Sequence, residues 1–140
     1  MFVGKRVLLV DDQPPAVAWL REYLESGGAE VVMEPSFSAA LDALNQRRNH
    51  FDLVTIDLMM PTTGVPDSMF AARPPLYTQF PGLLLAIAAR NSGYGSNKVL
   101  LYSVQDTDEI ETEAARVGVG YCVKGRPRDL KERIRSLLDR

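Results

Sequence analysis

The chain has 140 residues, 46% hydrophobic and 24% charged, with a formal net charge of −2. That is one ordinary domain's worth of chain, enough to bury a core without staples, and its balance argues against bulk affinity for nucleic acid or an anionic membrane. A lone cysteine, Cys122, and a lone histidine, His50, exclude an internal disulfide, a cysteine-based zinc site and any centre needing several imidazoles. No apolar run approaches the ~20 residues of a spanning helix, and residues 1–10 lack the core of a secretion signal. A cytoplasmic, single-domain protein is expected, with no direct nucleic-acid or membrane partner.

Val7, Leu8, Leu9 and Val10 predict a short strand covered on both faces, since such a strand need not alternate. Asp11, Asp12, Gln13, Pro14 and Pro15 end it. Ala16, Trp19, Leu20, Tyr23 and Leu24 recur at helical spacing, and Gly27 and Gly28 close that helix. Residues 31–33 read as a second strand. Phe37, Ala40, Leu41 and Leu44 repeat the helical stripe behind an N-cap at Ser36. The third strand, residues 53–56, runs into Asp57. Pro61, Pro66, Pro74 and Pro75 then forbid a long helix across residues 61–80, and a loop of that length tends to be functional or disordered. The next helix is predicted at residues 81–90. The fourth strand, residues 99–102, ends on Ser103, and Asp106 with Glu109 resembles a capping box ahead of Ile110, Ala114 and Val117. The fifth strand, residues 119–123, ends on Lys124, and Leu130, Ile134, Leu137 and Leu138 mark a last helix.

Strands this short and apolar, alternating with helices, imply an α/β fold with a parallel sheet, right-handed crossovers and helices on both faces. In such sheets the binding crevice lies outside the carboxyl ends of the strands. Asp11, Asp12, Asp57, Ser103 and Lys124 therefore converge on one edge. Carboxylates gathered there repel by about 4 kcal/mol per pair at an effective dielectric near 20, so a cation must answer them. With oxygen ligands only, a hard divalent ion, Mg²⁺ or Mn²⁺, is the natural choice. An aspartate beside such an ion can attack phosphorus and form an aspartyl phosphate, in a transition state stabilised by charge and position. Asp57 is the expected nucleophile, Asp11 and Asp12 hold the metal, and Ser103 and Lys124 grip the transferred oxygens.

Competing chemistries fail on spacing. Gly93-x-Gly95 and Gly118-x-Gly120 lack a third glycine and the strand-to-helix position of a dinucleotide fingerprint. A haloacid-dehalogenase-like phosphatase wants a second acid two residues after its nucleophile, where this chain has Met59. Arg126, Arg128, Lys131, Arg133 and Arg135 read as a solvated helix face, diluted by Asp129 and Glu132.

Asp11-Asp12 after the first strand, Asp57-Leu58-Met59-Met60-Pro61 after the third, Ser103 after the fourth and Tyr121-Cys122-Val123-Lys124 in the fifth occur in that order. Together they resemble a response-regulator receiver domain of the stand-alone, chemotaxis-regulator type. The resemblance implies a three-layer, flavodoxin-like, doubly wound sheet of five strands in the order 2-1-3-4-5 flanked by five helices. It makes residues 1–140 a single receiver, with 61–80 a proline-rich insertion that could cover or reshape the site. It further implies that Asp57 is the phospho-acceptor and, with Asp12, a direct magnesium ligand. Asp11 holds metal-bound water, the backbone carbonyl of Met59 completes the protein ligands, and Ser103 and Tyr121 form the switch.

Where the family carries a cis proline after its lysine, this chain has Gly125, so a trans route and a differently aimed Lys124 are expected. Met59 and Gln105 stand where the family tunes the lifetime of the phosphorylated state. The implied role is bacterial two-component signalling: a phosphoprotein, not an enzyme beyond its own phosphorylation and dephosphorylation. A histidine kinase or histidine phosphotransfer protein is the expected donor. No output domain is expected after Arg140, so a downstream protein target is the expected readout unless these residues are a fragment of a longer chain. The alternative is a receiver-like interaction module that works without phosphorylation.

Overall fold

The computed structural model describes residues 1–48, 50–105 and 107–139. Its strands are β1 (Arg6–Val10), β2 (Glu30–Glu34), β3 (Leu53–Asp57), β4 (Val99–Ser103) and β5 (Gly120–Val123). They form one sheet in the order β2-β1-β3-β4-β5, and every pairing is parallel. The helices are α1 (Ala18–Ser26), α2 (Phe37–Gln46), α3 (Leu76–Gln79), α4 (Gly82–Asn91), α5 (Asp108–Val117) and α6 (Pro127–Leu138). This is the expected three-layer, doubly wound architecture, with one helix more than the five anticipated: α3, a single turn inside the proline-rich stretch. No helix among the described residues is long and apolar enough to cross a membrane.

The central strands β3 and β4 are buried at every position, which is why their sequences run apolar without alternation. Side chains nevertheless divide between faces with the period of two that a pleated strand imposes. Leu8, Val10, Val54, Ile56, Val99 and Leu101 join the core beneath α2, α4 and α5. Val7, Leu9, Leu53 and Leu100 join Leu20, Leu24, Leu130 and Ile134 beneath α1 and α6.

Local chemistry sets the helix starts. Ser36 caps α2 by accepting from the Ala39 amide, as its position suggested. At α5 the cap is Thr107, which accepts from the Ile110 amide; Asp106, half of the predicted capping box, lies outside the described residues. Ahead of α1 the chain first makes a 3₁₀ turn, Pro14–Val17, so the α-helix begins later than the apolar stripe from Ala16 suggested, and Ala16 is exposed. The first turn of a helix leaves its amides without partners, so both prolines fit there, and the Ala16 amide closes the 3₁₀ turn on the Gln13 carbonyl.

Residues 61–80 do not behave as an appended loop. The Gly82 amide donates to the Leu58 carbonyl at 3.0 Å, so the chain leaves the sheet and returns to it at neighbouring points. A Cβ on Gly82 would lie 2.7 Å from Leu58 Cα and 2.9 Å from its carbonyl oxygen, so only glycine permits that approach. Between those points Leu76, Tyr77 and Phe80 are buried, and Val65, Met69 and Phe70 pack partly against the same core. The segment is thus a layer of the α4 side of the molecule rather than a cover over Asp57. The prolines correctly forbid a long helix here, but apolar residues between them seal a core face.

Candidate functional site

Asp11 follows β1, Asp57 ends β3 and Lys124 follows β5, all at the carboxyl edge of the sheet. Strand parity decides which way they face. Asp11 continues the row of Val7 and Leu9, and Asp57 that of Leu53, both on the α1/α6 side. Oxygens of Asp11, Asp12 and Asp57 lie within 4.8 Å of one another. The Lys124 ammonium sits 3.3 Å from Asp11 Oδ2 and 3.5 Å from Asp57 Oδ2. Four of the five converging residues named from the sequence therefore meet as charged groups.

Asp57 is only 4% exposed. Burial is the main cause that pushes its carboxyl up to about 6, against the opposing pulls of the Met59 amide and Lys124, with Asp11 adding to the rise. The Met59 N–H donates to Asp57 Oδ1 at 3.0 Å, which orients the acid and leaves its other oxygen to Lys124. One ammonium against three carboxylates leaves the cluster short of positive charge. An all-oxygen donor set so closely gathered fits a hard divalent cation.

The peptide between Lys124 and Gly125 is trans, as expected. Lys124 is not aimed away, however: Gly125 takes φ +89°, a left-handed turn that glycine adopts without strain, and the side chain still reaches both acids. Ser103 is buried, and its hydroxyl accepts from the Gln105 amide at 3.1 Å. By parity with Leu101 it faces the α5 side, as does the half-buried Tyr121, which packs against that core. The two residues proposed as a switch therefore share a face opposite to the acids.

Tyr102 was not singled out from the sequence. It pairs in register with Asp57, its hydroxyl donates to Asp11 Oδ2 at 2.7 Å, and the Lys124 ammonium lies 4.7 Å from its ring centroid. Burial first, then the Asp11 charge, holds this phenol far above its usual range, so it remains a donor. A tyrosine in a buried strand reads as core; only the strand register could have flagged it. Beside it opens a cavity of about 240 Å³ lined by Val17, Trp19, Tyr102, Lys124, Pro127 and Leu130 among others.

The fold has counterparts among solved structures. A two-component response regulator from Clostridium difficile superposes with TM-score 0.73 at 16% identity, covering 98% of each chain. A CheY-like response regulator receiver domain protein from Methanospirillum hungatei gives TM-score 0.68 at 25% identity, covering 96% of this chain and 94% of that one. The fold is that of a response-regulator receiver domain. The BeF3-activated N-terminal receiver domain of RstA from Klebsiella pneumoniae matches this chain with TM-score 0.73 at 23% identity, covering 97% of this chain and 100% of that one. In sequence, the chain is 41% identical over 58 residues to the two-component response regulator ORR26 of Oryza sativa subsp. japonica, a match spanning 41% of this chain and 10% of the rice protein. No protein-family model matches. The near-complete coverage of the solved receivers does not set residues 61–80 apart as an insertion.

Proposed function

We propose that this receiver carries a phosphorelay signal by accepting a phosphoryl group on Asp57. The observation that supports the reading best is the meeting of Asp11, Asp12 and Asp57 with the Lys124 ammonium at the carboxyl edge of a receiver sheet. Asp57 Oδ2 attacks the phosphorus of a phosphohistidine on a kinase or phosphotransfer protein. A P–O bond forms, the P–N bond breaks, and its electron pair returns to the imidazole, leaving an acyl phosphate. Asp12, Asp57 and the Met59 carbonyl would hold Mg²⁺ or Mn²⁺, with Asp11 holding its water; the ion supplies positive charge for the transferred oxygens. Lys124, already 3.5 Å from Asp57, shifts from carboxylate to phosphoryl oxygen. Ser103 exchanges its bond to the Gln105 amide for the phosphoryl group, Tyr121 repacks, and the surface of α5, β5 and α6 changes its affinity for a downstream protein.

In this role the protein is not an enzyme toward other substrates and works in the cytoplasm. Met59 is 45% exposed beside the acid, and a thioether cannot orient an attacking water, so self-dephosphorylation is slow. Incubation with acetyl phosphate and Mg²⁺, followed by intact mass, should show one added phosphoryl group that is absent in Asp57→Asn and persists beyond seconds. No adduct from several small phosphodonors, with no metal bound, overturns the reading in favour of a phosphorylation-independent interaction module.

A further inference from the structure

We propose that Tyr102 is a positioning residue for this site, its hydroxyl fixing the Asp11 carboxylate and its ring seating the Lys124 ammonium. The part concerning phosphoryl transfer rests on Asp57 as acceptor; the part concerning cation binding stands without it. Asp11 Oδ1 is held by the Gln13 amide at 2.8 Å. Its Oδ2 has two side-chain donors, the Tyr102 hydroxyl at 2.7 Å and the Lys124 ammonium at 3.3 Å. These donors differ in kind. Tyr102 projects from a central strand and is 1% exposed, so its hydroxyl has one place to be. Lys124 has a long flexible stem and is followed by exposed Gly125, around which nothing lies within 4 Å of a Cβ position.

The Lys124 side chain is only 24% exposed, and its ammonium touches Asp11, Asp57 and the face of the Tyr102 ring, so these contacts set its position. Without the hydroxyl, Asp11 keeps only Lys124 on Oδ2. The carboxylate swings more freely, and the ammonium is drawn toward it and away from Asp57. Partners of this outer kind typically change metal affinity by about 10–100-fold.

The test compares wild type, Tyr102→Phe, Asp11→Asn and the double variant, each checked for folding by circular dichroism. Mn²⁺ binding is read from the paramagnetic resonance of the free ion, and adduct formation from acetyl phosphate by intact mass. Tyr102→Phe keeps the ring and should weaken Mn²⁺ binding about tenfold, with slower adduct formation. In the Asp11→Asn background the same change should do nothing further. Mn²⁺ affinity unchanged by Tyr102→Phe, an equal loss in both backgrounds, or a wild type that takes up no Mn²⁺ overturns the proposal. If wild type binds Mn²⁺ yet forms no adduct, the phosphoryl reading falls while the Mn²⁺ comparison still decides the role of Tyr102. If Tyr102→Phe does not fold, the decision passes to proton NMR of wild type. A slowly exchanging Tyr102 hydroxyl that broadens with Mn²⁺ supports the proposal, and one in fast exchange with water overturns it.

Discussion

Asp57 is a carboxylate kept where water cannot fully solvate it, and that has a sign. Its pKa in the folded chain is raised from the ordinary 3.8 to about 6, chiefly by burial. Ionising it therefore costs folding free energy, and the cost appears as pH rises from about 4 through about 6. Asp57→Asn removes the cost: the metal-free variant should match wild type near pH 4 and exceed it by roughly 3 kcal/mol at pH 7, measured by urea unfolding in EDTA. Saturating Mg²⁺ should erase the difference; a gain that does not vary with pH contradicts the assignment. Gly125 is a residue-scale case of another kind. Its φ of +89° disfavours any side chain although space is open there. Gly125→Ala should cost about 1–2 kcal/mol by thermal melt and slow adduct formation by retreating Lys124 from Asp57.

Among the elements, the excursion between β3 and α4 is closed at two points. At its root Gly82 presses on the backbone of Asp57 and Leu58. Gly82→Ala must move either α4 or the strand end that carries Asp57, so a loss of roughly 1–3 kcal/mol should come with weaker Mn²⁺ binding; a stable variant with unchanged binding would show that the contact relaxes harmlessly. At its far end Tyr77 donates to Glu113 of α5, and Arg116 bonds to both. Arg116 is the main reason that the Glu113 carboxyl sits low, at about 2. A depressed carboxylate stabilises the fold above its ordinary range and ceases to as pH falls. The stability advantage of wild type over Glu113→Gln should accordingly be complete above about pH 4.5 and fade toward pH 2, followed by thermal melts across that window.

At the scale of the molecule, a cation held by Asp11, Asp12 and Asp57, as proposed, would bind only the folded chain, so the stability of the whole domain should report on it. Mg²⁺ at a hundred times its dissociation constant should add about 2.7 kcal/mol to unfolding, and Asp12→Asn should lose most of that increment; a melt indifferent to Mg²⁺ argues against the cation. The likeness to solved receivers extends through nearly the full chain at low identity, as expected when only patterning and a few strand-end residues are constrained.

Asp11, Asp57 and Lys124 could be found from sequence because a buried parallel strand is an unbroken apolar run, and the charged residue that ends it is conspicuous. The same runs, separated by helical stripes, determine the layered α/β architecture, since apolar faces of those two periods bury stably in few ways. Tyr102 could not be found so: in a strand it is simply apolar, and its hydroxyl acquires meaning only when β4 pairs with β3 and sets it opposite Asp57. Likewise the prolines of residues 61–80 exclude a helix but do not say where Leu76, Tyr77 and Phe80 go. What the sequence by itself determined is the order of elements and the charges at their ends, because both are local in the chain. What only the tertiary structure decided is which side chains face one another across those ends, because register, parity and the trans turn at Gly125 are properties of strands already paired.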